Sequence, residues 1–246
     1  MILGSANAVP VENHENTHLI IFADHRAVLV DCGSNPIQHL RRAGVDFNQL
    51  TDLVLTHFHP DHVSGVPLLL MGMWLLGRNE PLNIYGLAYT LDRMKAMMDL
   101  FDSQSWPNFY PLIYHYVPDQ ELSLMLDIDT MEILSSPVKH LIPTLGLRVL
   151  FRASGYVAAY SCDTEPCPQT VRLAKDADLL IHEATGASVG HSSPAQAAEI
   201  GRMAGARELC LIHYPPEMDS DEIIKEAQAI FPGQVDLAKD FMEFNF

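Results

Sequence analysis

Thr56-His57-Phe58-His59-Pro60-Asp61-His62 follows directly on the apolar run Leu53-Val54-Leu55. That run reads as a buried strand, and successive side chains of a strand alternate faces, so His57 and His59 point the same way. Pro60 cannot continue a ladder, and the chain must turn there. The turn presents Asp61 and His62 from a loop or from the first turn of a following helix. Imidazole is the commonest metal-ligating side chain. Two pairs of ligands leaving one strand end do not comfortably close a single tetrahedron, but they can begin two adjacent metal sites.

The surrounding chain has 246 residues, 48% of them apolar, which is enough to bury a sizeable core. One α/β domain over residues 1–246 is expected, because no linker, low-complexity run or internal repeat divides it. The formal charge is −16, and the basic residues are scattered rather than gathered in a stripe. A tight grip on a nucleic-acid backbone needs such a stripe, so tight transfer-RNA binding is not expected. Cys32, Cys162, Cys167 and Cys210 form no disulfide framework and suit a reducing, cytoplasmic setting. Met1-Ile2-Leu3-Gly4 reads as the start of a strand, so no signal peptide is expected there, and the apolar stretch from Val66 to Leu76 is shorter than the roughly 20 residues that span a bilayer. It is expected inside a helix over Val63–Gly77, packed in the interior or against a second subunit.

The first half reads mainly as strands: Met1–Gly4, a hairpin of Leu19–Phe22 and Val28–Asp31, then Leu53–Thr56 and Leu82–Tyr85. Gly33 in Asp31-Cys32-Gly33 is expected to supply a positive φ at a strand end. Pro36 is expected to start a short helix through Arg42, and Thr90 to cap an amphipathic helix running to Phe101. Ser103–Tyr116, with Trp106, Phe109, Tyr110, Tyr114 and Tyr116, is expected as an aromatic loop, either walling a substrate pocket or pinned by its own rings. Met131–Ser136, Leu145–Phe151 and Val157–Ser161 read as strands, and from Gln169 onward helices and strands alternate, as in parallel β-α units.

His140, Asp163 and His213 each stand at or just past the end of an apolar run, where α/β folds gather their functional groups. Together with His57-x-His59-x-Asp61-His62, this pattern resembles the metallo-β-lactamase superfamily. Within it the chain looks most like the ribonuclease Z group and its phosphodiesterase and arylsulfatase relatives. The motifs that carry this are Asp31-Cys32-Gly33, Gly77-Arg78 with Pro81-Leu82-x-Ile84-Tyr85-Gly86, His182-Glu183-Ala184-Thr185, and Gly190-His191-Ser192-Ser193.

The resemblance implies an αβ/βα sandwich, two mixed β-sheets flanked by helices, with a binuclear site at one edge. It implies that His57, His59 and His140 hold one metal, that Asp61, His62 and His213 hold the other, and that Asp163 bridges them. Two divalent ions are implied, Zn²⁺ first, with Mn²⁺ or Fe²⁺ as alternatives. A hydroxide between them would attack phosphorus, sulfur or a carbonyl. His191 would protonate the leaving oxygen with Glu183 orienting it, so Asp61, Glu183 and His191 are the catalytic candidates. His182 is expected to face away as a structural residue. A homodimer is implied as well.

Two departures redirect the substrate. Transfer-RNA-processing relatives carry an arm between the positions of His140 and Asp163, where this chain has only 22 residues, and Pro60 stands where they usually carry glycine. The expected activity is therefore hydrolysis of a small or exposed phosphodiester. Arylsulfatase or lactonase chemistry, tRNA 3′ processing and a non-catalytic binding role are the alternatives.

Overall fold

Val28, Val30 and Val54 face one way while Ala27, Leu29, Leu53 and Leu55 face the other, and all seven are buried. Strands buried on both faces need a layer on each side. The computed structural model, which describes residues 1–246, supplies them as an αβ/βα sandwich. The first sheet runs β1 (Ile2–Gly4), β2 (His18–Ala23), β3 (Arg26–Val30), β4 (Leu50–Val54), β5 (Leu82–Gly86) and β6 (Leu112–Tyr116) in that spatial order. Pairing is antiparallel through β3 and parallel from β3 to β6. Its outer face is covered by α1 (Pro36–Arg42), α2 (Pro60–Val63), α3 (Val66–Leu75) and α4 (Ala88–Asp99).

The second sheet begins as a meander of β7 (Ser123–Asp127), β8 (Met131–Val138), β9 (Thr144–Phe151) and β10 (Tyr156–Tyr160). It continues in parallel through β11 (Leu179–Glu183), β12 (Glu208–Ile212) and β13 (Gln234–Leu237). Outside it lie α5 (Pro168–Leu173), α6 (Pro194–Ala204) and α7 (Ser220–Gln228). The α6 helix starts where the sequence says it should: Ser193 and Gln196 form a capping box, Pro194 occupies the first turn, and Gly205 closes the helix at φ 71°. Between the sheets, Val30, Val54, Leu147, Ile181 and Ile212 share one apolar core. Each such fully buried side chain contributes about 1.5–3 kcal/mol.

Parallel strands aligned this way bring their C-terminal ends to one edge. Asp31 follows β3, His57 follows β4, Asp163 follows β10, Glu183 ends β11 and His213 follows β12. The turn from β8 to β9, which carries His140, opens at the same edge because Val138 pairs with Thr144. A bond from Leu145 N–H to the Thr56 carbonyl (3.1 Å) ties the two sheets together there.

Several local expectations change. The first half is not mainly strands: β3 to β6 alternate with helices just as the second half does. The expected helix over Val63–Gly77 is the shorter α3, with Val63 ending α2 instead, and α3 is buried on only one side. Val66, Leu69, Leu70 and Met73 are covered, while Leu68 and Leu75 are 50% and 67% exposed. Thr90 does not cap α4, which starts two residues earlier, because Thr90 lies buried inside its first turn. The last five residues of Ser103–Tyr116 are β6 rather than loop. The remainder enters β6 at its N-terminal end, the edge opposite His57, so it cannot wall a pocket over the histidines. It is pinned by its own rings: Trp106 stacks on Trp74 at 5.1 Å, and the Trp74 indole donates to the Pro107 carbonyl. Gly33 is needed for space, since a Cβ there would meet the Asp61 carbonyl at 2.0 Å; the positive φ in that turn belongs to Asp31 (62°) and Ser34 (50°).

Candidate metal centre

The β4 strand ends at Val54, and the extended backbone beyond it keeps His57 and His59 on the same side. His57 Nε2 and His140 Nε2 stand 3.1 and 3.0 Å from His59 Nδ1. His140 Nδ1 donates to the Gly190 carbonyl at 2.7 Å, which fixes the tautomer and leaves its Nε2 as a bare lone pair. His57 Nδ1 lies 3.1 Å from the Thr56 hydroxyl and 3.6 Å from the Cys162 thiol. Burial holds the pKa of His57 well below its usual value and that of His59 and His140 lower too, with neighbouring imidazoles adding to the effect. Three neutral nitrogens converging on one point fit a cation and little else.

Pro60 opens α2, which carries Asp61 in its first turn and His62 immediately after. His62 Nε2 lies 3.4 Å from Asp61 Oδ2 and 3.5 Å from Asp163 Oδ2; His213 Nε2 lies 3.4 Å from each of the same oxygens. Asp163 Oδ2 also comes within 3.9 Å of His57 Nε2 and 4.0 Å of His140 Nε2, so one oxygen is shared by both groups. His62 Nε2 and Asp163 Oδ1 are buried with no hydrogen-bond partner. Orphaned polar atoms of this kind are costly unless something binds them, and a divalent ion in each cluster would do so. The donor set, nitrogen with carboxylate oxygen, suits zinc-type chemistry.

The second cluster is electrostatically the opposite of the first. Burial alone would lower the pKa of His62, but Asp163 and Asp31 outweigh it and hold the imidazole well above its usual range. Burial would raise Asp163, but His213 and His62 pull it well below the carboxylate norm. Asp31 Oδ2 accepts from His62 Nδ1 and from the Thr56 hydroxyl, each at 2.8 Å, and Asp31 Oδ1 accepts from the Thr56 amide. Thr185 Oγ1 lies 2.8 Å from His213 Nδ1. Asp31, Cys162 and His213 adopt φ of 62°, 52° and 56°, a left-handed geometry that costs about 1–3 kcal/mol each and clusters at functional sites.

His191 stands beside both clusters, its ring 5.0 Å from His140 and 5.8 Å from His213. Its Nδ1 meets Glu183 Oε1 at 3.2 Å. Glu183 is fully buried and also accepts from the amides of Thr164, Thr185 and Ser192. Burial would lower the His191 pKa, but the Glu183 carboxylate raises it overall. His182 Nδ1 turns to the Glu183 carbonyl and takes no part, as expected. All nine candidate residues therefore meet at one edge. The supporting groups Asp31, Thr185, Cys162 and Glu165 had no role assigned from sequence; the first two stand inside motifs noted there, and an acidic residue directly ending a strand is the signal that marks Asp31.

A family model described as Anti-Pycsar protein Apyc1 matches residues 1–236. Ribonuclease Z of Methanothermobacter thermautotrophicus is 27% identical, the alignment covering 98% of this chain and 94% of that protein. The metallo-β-lactamase fold protein YhfI from Bacillus subtilis superposes with a TM-score of 0.80 at 26% identity, over 97% of this chain and 95% of YhfI. The short form of human tRNase Z superposes with a TM-score of 0.79 at 25% identity, over 100% and 98% of the two chains. The chain belongs to the Anti-Pycsar protein Apyc1 family and is a metal-dependent hydrolase of the ribonuclease Z-like branch of the metallo-β-lactamase superfamily.

Proposed function

We propose that this protein is a binuclear zinc phosphodiesterase acting on a small or exposed phosphodiester. The observation that carries the reading is the shared Asp163 oxygen between a three-imidazole cluster and a carboxylate-rich one, with His191 beside both. His57, His59 and His140 would hold one ion and Asp61, His62 and His213 the other, with Asp163 placed to serve both. When bound, the ions lower the pKa of water and offset the charge that builds on the phosphoryl oxygens. Asp61, whose side chain keeps 13% exposure, accepts a hydrogen bond from the attacking water. As the water oxygen bonds to phosphorus and its proton passes to Asp61, the bond to the leaving oxygen breaks with its electron pair, and protonated His191 supplies the leaving oxygen's proton from the nitrogen that Glu183 leaves free. The products are a phosphomonoester and an alcohol.

Three features favour a compact substrate. Only β9, a short turn and β10 occupy the interval between His140 and Asp163. The alignment with the archaeal ribonuclease Z runs over 296 positions, longer than this chain, so that relative carries insertions that are missing here. The net charge of −16 disfavours a polyanion. tRNA 3′ processing is the second reading, favoured by the relatives that carry that name. Zinc-loaded protein should hydrolyse bis(p-nitrophenyl) phosphate and a dinucleotide or cyclic nucleotide. Efficient cleavage of a precursor tRNA with little small-diester turnover would reverse the order of the two readings, and inactivity on all of them with zinc, manganese and iron would end both.

The reading includes a homodimer in a reducing compartment. All four cysteines are free and buried, and no helix is long and apolar enough to cross a membrane. Leu68, Met71, Leu75 and Leu76 leave an apolar stripe along α3 for a second copy to cover. Light scattering at the monomer mass would remove the dimer.

A further inference from the structure

The proton donor and one metal ligand sit on separate loops that meet at a single peptide. Gly190 presents its carbonyl to His140 Nδ1 at 2.7 Å and its N–H to Glu165 Oε1 at 3.0 Å, and the next residue is His191. Glu165 Oε2 pairs with Lys139 Nζ at 2.6 Å, and the Glu165 amide donates to the Lys139 carbonyl at 2.8 Å. A Cβ on Gly190 would come within 2.9 Å of His140 Nδ1, and the residue holds φ 87°, so the close approach needs glycine. The inner side of the loop is tied by Glu183, Thr164 and the Gly186 N–H to Ser192 carbonyl bond (2.9 Å), whereas its outer side is open, with Val189 74% exposed.

We propose that Glu165 is a positioning residue for His191, held in place by Lys139. Its carboxylate fixes the Gly190 amide, which sets where the following imidazole lies relative to Glu183 and to the leaving oxygen. Thr164 secures the inner side of the same loop, its carbonyl accepting from the Ser192 hydroxyl at 2.7 Å, and Glu165 secures the outer side. The idea rests on the reading of His191 as proton donor. A donor displaced by as little as about 1 Å loses on the order of a hundredfold in efficiency, so a clamp one residue away matters.

Glu165→Ala, Glu165→Gln and Lys139→Met are compared on two diesters, one releasing p-nitrophenolate and one releasing an alkoxide. p-Nitrophenolate departs without protonation and reports on the metal centre; the alkoxide needs the donor. E165A should lose on the order of tenfold to a hundredfold in kcat on the alkoxide substrate, stay within about threefold on the other, and keep its zinc. E165Q retains an acceptor for the Gly190 amide and should recover most of the loss, and K139M should fall between. Equal losses on both substrates, or no rescue by glutamine, would overturn the proposal. The imidazole N–H resonance of His191 in zinc-loaded protein reads the Glu183 contact without any substrate. It should exchange faster in E165A than in wild type or E165Q, and an unchanged resonance would overturn the clamp even if the wild-type protein proved inactive on both diesters, an outcome that counts instead against the phosphodiesterase reading.

Discussion

Behind His62 stands a carboxylate, Asp31 Oδ2 at 2.8 Å; behind His140 stands a peptide carbonyl at 2.7 Å, and behind His57 a hydroxyl at 3.1 Å. The Asp61–His62–Asp163–His213 cluster with Asp31 gathers three carboxylates against two imidazoles. The His57–His59–His140 cluster brings no formal charge of its own. Both are buried at the same edge, yet they tolerate the absence of an ion differently. Neutral imidazoles merely lose a partner. Buried carboxylates need positive charge, and His62 is held well above its usual pKa to provide it. The difference teaches that one half of the centre supplies geometry and the other supplies the electrostatic demand for metal.

The sharpest way to break this comparison is Asp163→Asn, which keeps the shape and removes the shared charge. On the proposed two-zinc reading, bound zinc should fall from two ions per chain to one or fewer, and turnover of bis(p-nitrophenyl) phosphate should drop about 10²–10⁴-fold, the equivalent of several kcal/mol. Metal analysis of the purified variant reads the first effect and steady-state kinetics the second. A variant retaining both ions and most activity would mean that Asp163 is not the bridge.

Removing the metal comes next. An ion present at a hundred times its dissociation constant stabilises the folded state by about 2.7 kcal/mol, so chelation should lower the melting temperature by about 5–10 °C for a chain of this size. Hydrogen exchange sharpens the test: amides of α2 and the turn at His213 should lose protection before those around His140. The reverse order would show that the neutral cluster, not the charged one, depends on its ion.

Asp31→Asn probes the backing itself. Loss of a supporting carboxylate typically weakens metal binding about 10–100-fold. Only one of the two zinc ions should become easier to extract, followed by competition with a chromogenic chelator. Equal weakening of both would place the difference between the clusters somewhere other than in the groups behind them.

How far these features could be read in advance depends on where their causes lie. The ligands were legible because each obeys a local rule: alternation fixes His57 with His59, Pro60 forces the turn, and the remaining ligands end apolar runs. The bridging role of Asp163 came through resemblance, since a contact between residues a hundred positions apart leaves no local trace. Of the short helices of the first half, α1 was legible because Pro36 marks its first turn, whereas α2 spans only 4 residues, too few for a period to show. The aromatic segment was misplaced because composition reveals stickiness but not which end of a strand it precedes; parallel pairing of β5 with β6 decides that. Glu165 was invisible for a similar reason. Its partner is a backbone amide, and backbone partners carry no sequence signature.

The smallest effect concerns a residue behind the charged cluster. His18 is fully buried, donates from Nδ1 to the Asn16 carbonyl at 2.7 Å, and leaves Nε2 without a partner. Burial lowers its pKa to about 4, the hydrogen bond to Asn16 opposing and the repulsion of His39 and His62 adding to it. The unfolded imidazole titrates near 6.5. Between those values the unfolded chain holds a proton that the folded chain does not, so stability is full above about pH 6.5 and falls as the pH drops toward 4, where the loss levels off. At pH 5.5 this one residue should account for about 1.4 kcal/mol. His14 and His182, also held low by burial, act in the same direction, so the informative quantity is a difference. Urea titrations of wild type and His18→Asn at pH 7.5 and 5.5 should show the variant less stable at the higher pH, where the lost packing dominates, yet losing less on acidification. An identical loss in both proteins would mean that His18 takes up its proton in the folded state, and that the space behind His62 tolerates positive charge far better than its burial implies.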